Sequence, residues 1–139
     1  MMLQSNSASE TKAIGKRIGS QLKAGNVVCL YGDLGAGKTT ITQGIASSLG
    51  INERDITSAS FTIISEHEGT IPFYHIDLYR LHKGEASGLG LHEYFKSEGI
   101  SVIEWAERAE DEIPEGCIKV TMTHTGDDTR DVEIEGMTV

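Results

Sequence analysis

The 139-residue chain carries 12 Lys+Arg against 21 Asp+Glu, a formal net charge of −9, with 38% hydrophobic and 24% charged residues. That length and core content suit one domain spanning residues 1–139 and exclude wholesale disorder, while the acidity argues against strong direct binding of nucleic acid by this chain alone. No apolar run approaches the roughly 20 residues of a membrane helix, and the opening MMLQSNSASETK lacks an apolar signal core, so the chain reads as cytoplasmic and Cys29 and Cys117 as buried reduced thiols.

Residues 5–25 read as a capped helix. Ser7 or Ser9 can cap, Glu10 is placed for a capping box with Ser7, Ile14, Ile18 and Leu22 share a face, and Gly25 ends it. Residues 26–31, NVVCLY, form an apolar run rich in strand formers. GDLGAGKTT, residues 32–40, follows and satisfies the phosphate-loop pattern G-x-x-x-x-G-K-[ST] with Gly32, Gly37, Lys38 and Thr39 in register. Behind it Ile41, Ile45, Ser48 and Leu49 recur at helical spacing, and Gly50 is a helix stop.

The residue types of this stretch match phosphate chemistry. Gly32, Gly35 and Gly37 let backbone N–H groups turn inward with no Cβ in the way, and the following helix adds partial positive charge. Lys38 can reach β- and γ-phosphates, and the Thr39 hydroxyl can ligate Mg²⁺. The competing reading is a glycine-rich turn that matches by chance; a strand before and a helix after weigh against it.

Residues 51–60 are polar and irregular. Residues 61–66 and 71–78 read as strands joined at Glu68-Gly69-Thr70 in a hairpin, with Pro72 arguing for an edge or a strand start. Residues 84–90 read as a loop, 91–95 as a short helix, 100–105 as a buried strand, and 106–112 as one or two helical turns closed by Pro114. The alternating runs 118–123 and 131–134, with a turn at Gly126-Asp127-Asp128, read as an antiparallel hairpin at a sheet edge.

Asp77 and Glu104 each end an apolar strand. A nucleotide hydrolase needs such acids beside its phosphate loop, to hold a metal or orient water; a strand-end acid entering solvent is the plainer alternative. Residues 57–62 are hydroxyl-rich and suit either a nucleotide-sensing loop or a solvated one. Trp105, the sole tryptophan, fits a place beside the nucleotide or in the core. Arg80 and Arg108 follow the two acids and suit local pairing or phosphate contact, a surface salt bridge being the commoner case. His67, His75, His82, His92 and His124 show no zinc-ligand spacing, and neither H-E-x-x-H nor G-x-S-x-G occurs.

Together GDLGAGKT, S-x-x-F-T, YHIDLYRL, GLHEYF and VIEW resemble the TsaE (YjeE) family of bacterial phosphate-loop ATPases over nearly the whole chain. HIDLYRL combined with IEW carries the specificity; GAGKT alone is common. The resemblance implies an α/β phosphate-loop NTPase fold, here a mixed, largely buried sheet flanked by helices on both faces with an antiparallel C-terminal hairpin. It implies ATP as substrate, Mg²⁺ as cofactor, and TsaB and TsaD as partners that together attach a threonylcarbamoyl group to tRNA, the tRNA being reached through the complex.

By the same resemblance Gly32, Asp33, Leu34, Gly35, Ala36, Gly37, Lys38, Thr39 and Thr40 would cradle the nucleotide, with Trp105 beside it and Arg130 near the base. Lys38, Asp77 and Glu104 would serve catalysis, and Thr39 and Glu104 the metal. The family's usual S-P-T-[FY]-T is here Ser58-Ala59-Ser60-Phe61-Thr62, and its proline after the tryptophan is Ala106. Ala59 lacks proline's fixed φ, which puts the switch-loop assignment in question. Rival readings are a small-molecule kinase, a GTPase, and a non-hydrolysing nucleotide-gated module. The chain shows no lid-sized insertion, no N-K-x-D and few arginines, and Asp77 and Glu104 favour hydrolysis.

Overall fold

Alternation along β2 (Val27–Tyr31) sends Val28 and Leu30 to one face of a sheet and Val27 and Cys29 to the other, and all four are buried. A strand buried on both faces belongs in a sheet's centre. The computed structural model describes residues 1–33, 35–57, 63–82 and 84–139, and places β2 in the middle of a seven-stranded sheet. The order is β1-β7-β6-β2-β5-β4-β3, with β1 at Met2–Ser5, β3 at Ile64–His67, β4 at Phe73–Asp77, β5 at Ile100–Glu104, β6 at Ile118–His124 and β7 at Arg130–Glu135. The four inner strands β6-β2-β5-β4 are parallel, and antiparallel strands complete both sides. The mixed sheet and the C-terminal hairpin are as expected.

Two helices cover one face. Helix α1 (Ala8–Gly19) buries Thr11, Ile14, Gly15, Ile18 and Gly19, an i, i+3, i+4, i+7, i+8 stripe. Helix α2 (Lys38–Ser48) buries Ile41, Ile45 and Ala46. The other face is covered by slighter structure: 3₁₀ turns at Glu85–Leu89 and Ala106–Glu112 and the five-residue α3 (Leu91–Phe95), packed on Ile76, Leu78 and Ile103.

Several expectations are corrected. The first helix stops at Gly19, not Gly25; Leu22 keeps the apolar spacing because it is buried in the turn that follows. Ser7 does cap it, accepting from Glu10 N at 3.0 Å, but the Glu10 carboxylate closes on Asn6 N rather than on Ser7. The C-terminal hairpin is not at the edge, because β1 pairs with β7, Leu3 opposite Val132. Of the two readings of Pro72 the strand start holds and the edge does not: Pro72 directly precedes β4, which is paired on both sides, and its carbonyl accepts from Ile100 N. Cys117 is half-buried, whereas Cys29 is buried; both are free. Residues 58–62, the expected switch loop with the start of its strand, lie outside the described residues.

The two long helices meet backbone to backbone. A Cβ on Gly15 would collide with the Ile41 carbonyl oxygen and lie 3.0 Å from Gly44 Cα; a Cβ on Gly44 would collide with the Lys12 carbonyl oxygen. Side chains at either position would push α2, and the loop that precedes it, off the sheet. Gly44→Ala is therefore expected to lower stability in urea unfolding by about 1–3 kcal/mol, the usual cost of overpacking. Gly88→Ala, where an added Cβ meets nothing within 4 Å, should stay within about 0.5 kcal/mol of the parent.

Candidate functional site

Because β2, β5 and β4 run parallel, their C-terminal ends open on the same side of the sheet. Whatever follows those strands shares one crevice, the usual ligand position in open α/β sheets. After β2 comes the glycine-rich loop. Gly37 caps α2 at φ +104°, a left-handed conformation that side chains resist, and Gly32 approaches Met122 O so closely that a Cβ would lie 2.7 Å from it. No side chain caps α2, and no acid sits in its first turn, so its leading N–H groups face the crevice without a carboxylate from their own helix.

Lys38 is buried and folds back over the loop. Its Nζ donates to Gly32 O and, at 3.1 Å, to Asp33 O, and lies 3.8 Å from the centroid of the Trp105 ring. The Thr39 hydroxyl donates to Glu104 Oε1 at 3.0 Å. Thr42, one turn on, donates to Lys38 O at 2.9 Å and stands 3.5 Å from Glu104 Oε2. Asp77 pairs directly with Glu104 across β4 and β5, and its Oδ1 accepts from Tyr79 N at 3.0 Å. Neither acid points into solvent: Asp77 is 8% exposed and Glu104 2%.

Trp105 follows Glu104 at φ +60°, the only non-glycine residue with positive φ among those described. Such a conformation costs on the order of 1–2 kcal/mol and reverses the chain so that the indole returns over Lys38. Arg108 holds this corner. It donates to Tyr79 O and, at 2.9 Å, to Leu81 O, and its guanidinium lies 5.1 Å from the Trp105 ring centroid. One arginine thus ties the exit of β4 to the exit of β5. Among the described residues it neither lines the crevice nor forms a salt bridge.

The crevice has a volume of ≈ 620 Å³ and is lined by residues 35–40, Asp77, Tyr79, Glu104, Trp105 and Arg130. That size suits a nucleotide-sized ligand. Arg130, at the start of β7, closes it from the far side, with Nη2 3.3 Å from Gly35 O. Most of the residues expected at the site therefore converge. Gly32 and Asp33 contribute through their carbonyls to Lys38, and Leu34 lies outside the described residues.

Three side chains were missed by sequence reasoning. His75 Nε2 stands 2.5 Å from Glu104 Oε2, both groups buried. The signal was the period-two alternation of β4, which puts His75 on the face of Asp77. Thr42 lies three residues after Thr39, on the same helix face. Tyr79 had no local mark; its ring packs tilted against Trp105, with centroids 5.2 Å apart.

Electrostatics reflect burial. Loss of water pushes the Lys38 ammonium down, against the opposing pull of Glu107, Glu104, Asp77 and Asp33. It pushes the Asp77 carboxyl up, with a smaller upward push from Glu104, while Tyr79 N–H, His75 and Lys38 act the other way. Glu107 is raised for the same reason. The ligand atoms of His75, Asp77 and Glu104 lie within 4.8 Å of one another, and Thr39, Asp77 and Glu104 supply the oxygen donors that a hard divalent cation takes. No helix among the described residues is long and apolar enough to cross a membrane.

The family model for threonylcarbamoyl adenosine biosynthesis protein TsaE matches residues 5–132. The tRNA threonylcarbamoyladenosine biosynthesis protein TsaE of Bacillus subtilis is 45% identical over 124 residues, 88% of this chain and 77% of that one. Its counterpart in Treponema pallidum is 38% identical over 96% of this chain and 99% of its own. The crystal structure of Bacillus subtilis YdiB superposes with a TM-score of 0.80 and 41% identity, covering 95% of this chain and 82% of that one.

The raised Asp77 carboxyl sets a pH dependence. Its neutral form is the one the fold favours, so this contribution is full below the ordinary value of 3.8 and is lost as pH rises through the higher value in the folded protein. Asp77→Asn, uncharged throughout, is expected to be more stable than the parent at pH 7, with the difference narrowing as pH falls toward 4. Urea unfolding at several pH values measures it.

Proposed function

The chain belongs to the TsaE family of threonylcarbamoyl adenosine biosynthesis proteins, and from that premise we propose that it binds and hydrolyses ATP in support of tRNA modification. The observation that carries the reading is the 3.0 Å hydrogen bond from Thr39, the phosphate-loop hydroxyl, to Glu104 at the end of β5, inside a nucleotide-sized crevice. A loop hydroxyl and a strand-end carboxylate side by side are the pair that phosphate-loop hydrolases use.

The residues divide the work by position. The loop backbone and the start of α2 hold the phosphates. Lys38 exchanges the carbonyls of Gly32 and Asp33 for phosphate oxygens, a swap of neutral for charged acceptors that strengthens its hydrogen bonds. Thr39 and Glu104 would hold Mg²⁺, which when bound neutralises phosphate charge. Asp77 or Glu104 orients the attacking water, both being fixed at adjacent strand ends. Trp105 and Tyr79 wall the nucleotide on one side and Arg130 on the other. TsaB and TsaD are the partners in this reading, and tRNA is reached through them, in keeping with the net charge of −9.

Lys38→Ala is expected to abolish steady-state ATP hydrolysis and weaken nucleotide binding. Glu104→Ala should lose turnover yet keep most of its affinity for ATP in titration calorimetry, because the loop backbone remains. Normal turnover in either variant would remove the assignment. Hydrolysis by the chain alone should be slow and should rise when TsaB and TsaD are added, since an arginine supplied in trans is worth about 10³–10⁵-fold in such sites. Equal rates alone, with partners and with tRNA would show a self-sufficient ATPase.

A further inference from the structure

We propose that His75 is a positioning residue for Glu104: its Nε2–H holds Oε2 and thereby aims Oε1 at the Thr39 hydroxyl. The proposal deepens the hydrolase reading, and its kinetic test rests on that reading. His75 sits on β4 opposite Val102, two residue pairs back from the Asp77–Glu104 pair and so on the same face, the one that looks toward α2. Its side chain is 5% exposed and that of Glu104 3%, and the two are 2.5 Å apart. His75 does not line the crevice, so it acts through Glu104 and not on a ligand.

Donor supply makes the contact necessary. A buried carboxylate needs hydrogen bonds at both oxygens. Oε1 has Thr39. The other described side-chain donor near Oε2 is Thr42, at 3.5 Å, and its single hydroxyl proton is better placed on Lys38 O at 2.9 Å. Without His75 the carboxylate keeps one firm anchor and is free to turn about it. A metal shared between the two groups is a poorer fit. Nitrogen and oxygen ligands at about 2.0–2.2 Å from a common ion sit roughly 3 Å or more apart, whereas these atoms stand at hydrogen-bond distance. Partners of this kind, which orient a ligating group from behind, typically matter by about 10–100-fold.

Two variants separate donor from bulk. His75→Leu fills the space without a donor, and His75→Gln restores an N–H near the place of Nε2. The expected result is that His75→Leu lowers kcat for ATP about 10–100-fold with KM nearly unchanged. It should also abolish the tightening of ADP binding by Mg²⁺ in titration calorimetry, and His75→Gln should recover most of both. Full activity and an intact Mg²⁺ effect in His75→Leu would overturn the proposal. So would a His75→Gln variant as impaired as His75→Leu, which would mark the ring as packing alone. A measurement on the parent chain needs neither a stable His75 variant nor turnover. ¹⁵N-edited NMR should show a slowly exchanging His75 Nε2–H proton that disappears in Glu104→Ala. Its absence from the parent would overturn the positioning role. Its presence in a chain that does not turn over ATP would leave that role standing and remove the hydrolase reading instead.

Discussion

A carboxylate with 2% exposure at the end of β5 constrains everything around it. Buried charge is costly unless donors meet it, and the donors that meet Glu104 arrive on separate elements: Thr39 from α2 and His75 from β4. Helix α2 must therefore start above the exits of β5 and β4. The start of α2 is also the end of the glycine-rich loop, so satisfying one buried acid sets the loop over the crevice. The close glycine contact between α1 and α2 holds that placement from behind.

The same economy appears on the crevice wall. Trp105 adopts a conformation that would be unfavourable in isolation, and Asp77 is held where its charge is penalised. Both are tied down by neighbours that do no chemistry: Arg108 across the carbonyls of residues 79 and 81, and Tyr79 through its backbone N–H. Strain and unfavourable charge concentrated at one crevice, with fixing contacts around it, mark the place where function has been kept at the expense of stability.

The glycine loop was legible in the sequence because its residue types are dictated by backbone geometry, and Asp77 and Glu104 because a strand that ends in a lone acid breaks an apolar run. Strand β5 and helix α3 fall where the pattern places them. The hidden parts depend on distant partners. Strand β1 is four residues without a pattern of its own, made a strand by β7. Arg108 finds backbone carbonyls, which leave no trace in residue type. His75 was weighed only for metal-ligand spacing along the chain, while its meaning lies across the sheet in Glu104. The first helix looked longer than it is because burial, not helicity, keeps Leu22 apolar.

The pairing of β1 with β7 has a consequence for how the molecule is made. A strand at residues 2–5 finds its partner at residues 130–133, so during synthesis it leaves the ribosome with nothing to pair against. At roughly 5–20 residues per second the wait is on the order of ten seconds. Meanwhile the elements that carry the crevice acids and the glycine loop, residues 27–104, have already emerged, with the β6 side of β2 open until residues 118–124 follow. The earlier-made strand of the β1–β7 pair thus waits for the later one. Its docking signals that the C-terminal hairpin, and with it the Arg130 wall of the crevice, is in place.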